Sequence, residues 1–184
     1  MSDLGDDTLM AQMLTNVIIG NTSSGKGDHF WDNGEANLLK GLVLCVQLDP
    51  TIQQKDKNLT KVYEILTGNN LMGTINGVLA KTEYHAAKAS FSLFAQSSET
   101  VRQGIILGLG TRLQVLQDQA VKQLVSRSDI DLTAPGKRKC AYYIILSDQE
   151  TSMAFISSLF FSFLFIKLTR FADNSPGGKC LVPV

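Results

Sequence analysis

The run Gly20-Asn-Thr-Ser-Ser-Gly25-Lys26-Gly27 follows the apolar residues Val17-Ile18-Ile19 and is one residue short of a phosphate-binding loop. Such a loop cradles phosphates with backbone N–H groups. Its Lys reaches the outer oxygens, and the Ser or Thr that follows ligates Mg²⁺. Gly20, Gly25 and Lys26 could serve the first two tasks, but Gly27 has no hydroxyl, so the metal loses a ligand. Leu146-Ser147-Asp148 closes an apolar run and imitates the acidic partner that would hold the metal. A plainer reading is a Gly/Ser loop and, at Asp148, an N-cap for the helix that follows. An atypical phosphate-loop NTPase built on Lys26 and Asp148 remains open beside it.

Other groups offer less chemistry. Asp28, Asp32 and Glu35 gather beside His29, which admits either an acid–base pair or acids favoured by a helix dipole. His29, His85, Cys45, Cys140 and Cys180 lack metal-ligand spacing, so neither a zinc site nor a disulfide framework is expected. Lys137-Arg138-Lys139 follows Pro135-Gly136 and reads as a solvated turn. No catalytic residue and no metal ligand is assigned. The 17 basic residues balance 17 acidic ones, which gives no support for a free-standing nucleic-acid binder.

These groups must be positioned by helices. Residues 8–19 read as a short helix or a helix running into a strand, and residues 20–28 as a loop. Asp32 followed by Glu35 resembles a capping box, so a helix is expected from Asp32 to about Gln47. Trp31, Leu38, Leu42 and Cys45 fall on one stripe of it. Residues 58–67, 69–80 and 83–96 read as three shorter helices. The longest helix is expected to start at Ser97 or Ser98, with Val101, Ile105, Leu109, Leu113 and Leu116 on one face. Gly104, Gly108 and Gly110 each cost about 1 kcal/mol there relative to Ala, so a close neighbour is expected to offset them. Trp31, Leu38, Leu42, Ile105, Leu109 and Leu113 form the expected core, with Trp31 buried against the long helix.

Beyond Arg127 the pattern changes. Ala141 to Leu146 reads as a buried strand and residues 150–172 as a long helix. Cys180 to Val184 looks like the start of a second strand, and a chain ending inside it is expected to be a fragment. The apolar run Met153–Leu168 is shorter than the roughly 20 residues that span a bilayer, and Ser157, Ser158 and Ser162 interrupt it. A buried amphipathic helix is expected.

From Asn21 to Lys40 the sequence resembles the TraG-type coupling proteins of conjugative type IV secretion. The likeness rests on the Phe30-Trp31 pair ahead of a helix with Ala36, Leu38 and Leu39. It continues through Ser97 to Gln114 with Thr-Val-Arg-Gln-Gly-Ile, and through Asp129-Ile-Asp-Leu132. It extends over Cys140 to Asp148 and the Ser157-Ser-Leu-Phe-Phe helix, covering almost the whole chain. The resemblance implies a membrane-anchored, hexameric, RecA-like ATPase that uses ATP and Mg, with an all-α domain inserted between its two nucleotide motifs. Both motifs would lie outside this chain, upstream of the inserted domain and just beyond Val184, so no cofactor is expected within it.

The expected fold is therefore mainly α, an inserted all-α helical domain with a short RecA-like α/β remnant at the C-terminal end. Residues 1–27 would be a linker and lead-in segment and 28–128 the all-α domain. Residues 129–184 would be a partial RecA-like segment, with a strand at 140–147, a helix at 150–172 and the start of a strand at 181–184. The expected function is recognition of substrate or relaxosome by docking, at the cytoplasmic side of the bacterial membrane. Partners would be the relaxase or a relaxosome accessory protein, with DNA bound weakly or indirectly. Lys57, Lys61, Asn69, Asn70 and Lys81 are the expected docking residues. A helical interaction module unrelated to conjugation is the second alternative.

Overall fold

The computed structural model describes residues 8–23, 29–81, 85–145 and 151–181, the side chains of 151–153 excepted. The chain divides into two compact units, Met1–Arg127 and Ser128–Val184. Among the described residues every regular element is helical, so the mainly α class holds.

The first unit is built around α2 (His29–Leu48). Leu38, Leu39 and the whole run Gly41–Val46 are buried, so this stretch has no polar face and must be surrounded. Four helices surround it: α1 (Thr8–Thr22), α3 (Leu59–Thr67), α5 (His85–Gln96) and α6 (Glu99–Arg112). On α1 the buried face is Met10, Ala11, Leu14, Thr15, Ile18 and Ile19, and the Thr15 hydroxyl donates to the Ala11 carbonyl at 2.9 Å. α4 (Leu71–Ala80) packs on α3 and α5 through Leu71, Ile75 and Val78. Three starts are capped by side chains, as the sequence requires of orphan N–H groups. Asn58 accepts from Lys61 N (3.1 Å), Ser98 from Val101 N (3.4 Å), and Asp118 from Ala120 N (2.8 Å) and Val121 N (3.0 Å).

Glycines let α2 close on its neighbours. A Cβ on Gly41 would strike the ring of Phe91, which is wholly buried, and one on Gly34 would come within 2.7 Å of Ile105. From the other side, Gly104 makes room for Trp31 (2.7 Å) and Gly108 for the Glu35 carboxyl. The expected close neighbour thus offsets two of the three α6 glycines; Gly110 faces open space.

Several expectations need correction. α1 continues past residue 19 to Thr22, so no strand precedes the Gly/Ser run. α2 starts at His29, and Asp32 is not its N-cap but part of its first turn, its carboxylate drawn to Arg112. α6 has 14 residues and is not the longest helix. Leu113 leaves the helical conformation, a 3-10 turn covers Gln114–Gln117, and Asp118 caps a separate α7 (Gln119–Val125). Leu113 and Leu116 stay buried because their three-residue spacing fits the 3-10 turn. Leu38, Leu42, Ile105, Leu109 and Leu113 are core residues, whereas Trp31 is 38 % exposed. It lies at the open start of α2, where its ring meets Gly104 and stands edge-to-face with Phe30 at 5.3 Å.

In the second unit, α8 (Ala134–Lys137) packs on α9 (Thr151–Asp173), close to the helix expected at 150–172. Gly136 sits where a Cβ would meet Phe171 (2.9 Å) and Cys180 Sγ (3.1 Å), and its carbonyl accepts from Leu181 N at 2.9 Å. Residues 140–145 form no strand: among the described residues they have no ladder partner, and Tyr143 and Ile145 are almost fully exposed. Residues 146–150 and 182–184, where the rest of that strand and most of the second were expected, lie outside the described residues, and Leu181 is in a bend. α9 is also not the buried helix expected. Of its described side chains only Leu159 is buried, while Phe161 and Phe165 are 51 % and 74 % exposed. Its stretch Ala154–Asp173 is long and apolar enough to cross a membrane, by length and composition.

The glycines give a direct test of the packing. Gly41→Ala gains helix propensity but forces Phe91 aside, and should destabilise by about 1–3 kcal/mol. Gly110→Ala meets nothing and should stabilise by about 0.5–1 kcal/mol. Urea unfolding of both variants, with the two shifts of opposite sign, is the expected result.

Candidate functional site

The polar residues singled out in the sequence sort into three places. Gly20 lies inside α1, two residues before its end, with Ile18 and Ile19 buried as helical residues. A phosphate loop needs a strand before it and the start of a helix after it. The preceding element is instead a helix, so Gly20 does not fit that role; Gly25, Lys26 and Asp148 lie outside the described residues.

The second place holds the most organised polar cluster of the first unit. Arg112, the last residue of α6, reaches back to the first turns of α2, where Nη2 bonds Asp32 Oδ1 and Nε bonds Glu35 Oε2. Its Nη1 donates to Thr22 Oγ1 at 3.1 Å, and Ser23 Oγ donates to Asp32 Oδ2 at 2.9 Å. One guanidinium therefore ties the end of α1, the start of α2 and the end of α6. Each donor finds an oxygen in a planar fork, the geometry for which arginine suits a carboxylate pair better than lysine. The sequence reading had Asp32 and Glu35 but missed Arg112. The partners are 80 and 77 residues apart, and no local spacing marks them.

Glu35 is 4 % exposed, and burial pushes its pKa above the ordinary 4.5. The hydrogen bond and charge of Arg112 pull it down, while the Asp32 charge adds to the rise. This cluster is structural: its acids are spent on Arg112, and His29 takes no part in the bonds described.

Third come the expected docking residues. Lys57 Nζ donates to the Gln47 carbonyl at 2.5 Å, closing the C-terminal end of α2. Lys61 pairs with Glu64 at 3.1 Å. Lys81 is at the C-cap of α4, within electrostatic reach of Asp49. Asn69 is exposed in the α3–α4 turn, and Asn70 is the N-cap residue of α4, its carboxamide lying over Gly73. Lys57 and Lys81 both lie within electrostatic reach of Asp49. Lys61 lines a polar cleft of about 320 Å³ with Asp56, Glu64 and Lys122, where two positive charges meet two negative ones. Such a cleft has no net attraction for phosphate.

Two measurements follow. Because the folded state holds the Glu35 proton more tightly than the unfolded chain, this group's contribution to stability is complete below pH 4.5 and is lost as pH rises through the raised folded value. Glu35→Gln should thus be more stable than the parent near neutrality, with the gap closing on acidification. Urea midpoints from neutral to acidic pH check this, and a gap that widened would show the Arg112 attraction to outweigh burial. Calorimetric titration with Mg-ATP should show no micromolar binding, since no hydroxyl follows Lys26. Binding that vanished in Lys26→Ala would reverse that expectation.

No curated protein and no solved structure matches the chain. The sequence model of the family described as type IV secretory system conjugative DNA transfer matches residues 4–181, running through both units from the start of the chain to Leu181. A match over nearly the whole length leaves one assignment: the chain belongs to the conjugative DNA-transfer family of the type IV secretory system.

Proposed function

We propose that the chain recognises the substrate of a conjugative coupling ATPase, docking the relaxase or a relaxosome accessory protein and doing no chemistry itself. The observation that carries this reading is the disposition of the first unit's polar groups. Its best-organised ionic cluster is closed on itself by Arg112, while large apolar side chains such as Phe30, Leu93 and Leu107 stay exposed. Family membership supplies the setting, DNA transfer through type IV secretion. Docking would be made by the helical face of residues 58–96, with α2 as the rigid floor beneath it.

DNA would be held weakly. The chain is neutral, and two lysines at the start of that face are committed within the protein, Lys57, just ahead of it, to a carbonyl and Lys61 to Glu64. Nucleic-acid affinity rests on the number of phosphates neutralised, so a surface with paired lysines binds little and releases on modest salt. ATP and Mg would be bound by other parts of a longer, hexameric, membrane-anchored protein, with this unit on the cytoplasmic face.

A pull-down of the cognate relaxosome on the immobilised chain tests the reading. Capture of the relaxase or its accessory protein, surviving nuclease treatment, is expected. Failure to capture either, or tight sequence-specific binding of naked DNA, would overturn it.

A further inference from the structure

A cleft of about 280 Å³ lies between the start of α2 and the end of α5, floored by Phe94 and Ile105 and rimmed by Leu93 and Phe30. The floor is deep because Gly34 has no Cβ, which lets Ile105 lie against the α2 backbone. Phe94 and Ile105 are buried, while Leu93 is 66 % exposed, so an apolar floor opens to solvent past an apolar rim. Two polar side chains, Asn33 and Asn37, stand one turn apart along the same wall. Neither carboxamide has a hydrogen-bond partner among the described residues.

We propose that this cleft is a docking notch for an uncharged, extended peptide segment of the protein partner. It rests on the docking reading above, extending its face from the end of α5 onto the start of α2 and naming the chemistry of what it takes. The argument rests on charge and spacing. No ionisable side chain lines the cleft, so it matches neither a phosphate backbone nor an acidic or basic tail. Each carboxamide offers one acceptor and a donor pair, the complement of the C=O and N–H of one peptide residue. Side chains at i and i+4 of a helix stand about 5–6 Å apart. Alternate residues of an extended chain, whose N–H and C=O point to one side, repeat at about 6.6–6.8 Å. Asn33 and Asn37 can therefore bind two alternate residues of one strand-like segment. A large aliphatic or aromatic side chain of that segment then enters over Phe94 and Ile105, where Leu93 closes on it.

Selection of short random peptides displayed on phage against the full chain tests this, followed by anisotropy titration of the enriched peptide carrying a fluorophore. Uncharged sequences with one large apolar residue should be enriched. Their binding should fall on the order of tenfold in the Asn33→Ala/Asn37→Ala double variant. Leu93→Ser should weaken it similarly, with Tm unchanged in both, since all three positions are at the surface. N-methylation of alternate peptide amides should abolish binding. Enrichment of acidic or basic peptides, no enrichment at all, indifference to the substitutions, or displacement by single-stranded DNA would each overturn the proposal. The relaxosome pull-down keeps the two ideas separable. Equal capture by parent and triple variant sinks the notch and leaves the docking reading intact. A parent that captures nothing, yet selects the expected peptides, sinks the docking reading alone.

Discussion

Between Leu38 and Val46 every residue of α2 except Lys40 is buried, and the architecture of the first unit follows from that fact. An ordinary surface helix buries a stripe, and its neighbours are needed on one side only. Here α1, α3, α5 and α6 must all reach the same helix, and two of them, α5 and α6, close on it at glycines. Gly41 admits the Phe91 ring, and across the α2–α6 contact the exchange is reciprocal. Gly34 of α2 receives Ile105, while Gly104 and Gly108 of α6 receive Trp31 and Glu35. Glycine within a helix costs about 1 kcal/mol of propensity, and the dense contacts it permits offset that loss.

The polar end of α2 solves a different problem. Asp32 and Glu35 are drawn into the unit by the packing of the helix that carries them, and a buried carboxylate is tolerated only when paired. Arg112 supplies the pairing for both, with one further bond from its guanidinium to the Thr22 hydroxyl and one from the Ser23 hydroxyl to Asp32. The cluster adds direction more than energy. Hydrophobic packing would tolerate several registers of α6 against α2, whereas one arginine that must meet two carboxylates and a hydroxyl tolerates one.

The second unit shows the opposite condition. α9 carries apolar residues on most of its surface but buries only Leu159 among those described. Residues 140–145, rich in aromatic and β-branched side chains, have no neighbouring strand among the described residues to complete a ladder. A single extended segment cannot satisfy its own backbone groups, so β propensity has nothing to act on there. The unit is held instead by small local contacts: Gly136 against Phe171 and Cys180, Tyr142 bonded to the Asp131 carbonyl at 2.5 Å, and Lys137 paired with Asp131 at 3.1 Å. Asp131, fully exposed, has its pKa drawn down to about 2 by the hydrogen bonds of Thr133, with Lys137 assisting.

Local chemistry decided what was legible from the residues alone. Helices appeared where caps and apolar periodicity agree, as at Ser98, because a cap and its orphan N–H lie within three residues of each other. The aliphatic core of α2 and α6 was legible for the same reason, and family resemblance was carried by contiguous motifs. Three features were not. Arg112 meets acids some 80 residues away, so its partners are set by how α6 crosses α2. The extent of α1 through Gly20 was decided by burial of Ile18 and Ile19 against α2, which overrode a glycine-rich loop signal. Trp31 looked like the head of a buried stripe, yet it stands at the helix start, where it stays 38 % exposed. Sequence by itself determined the helical elements and the apolar faces they must hide. Tertiary structure decided which charges meet and which apolar groups stay exposed, because both depend on distances between segments that no local spacing encodes.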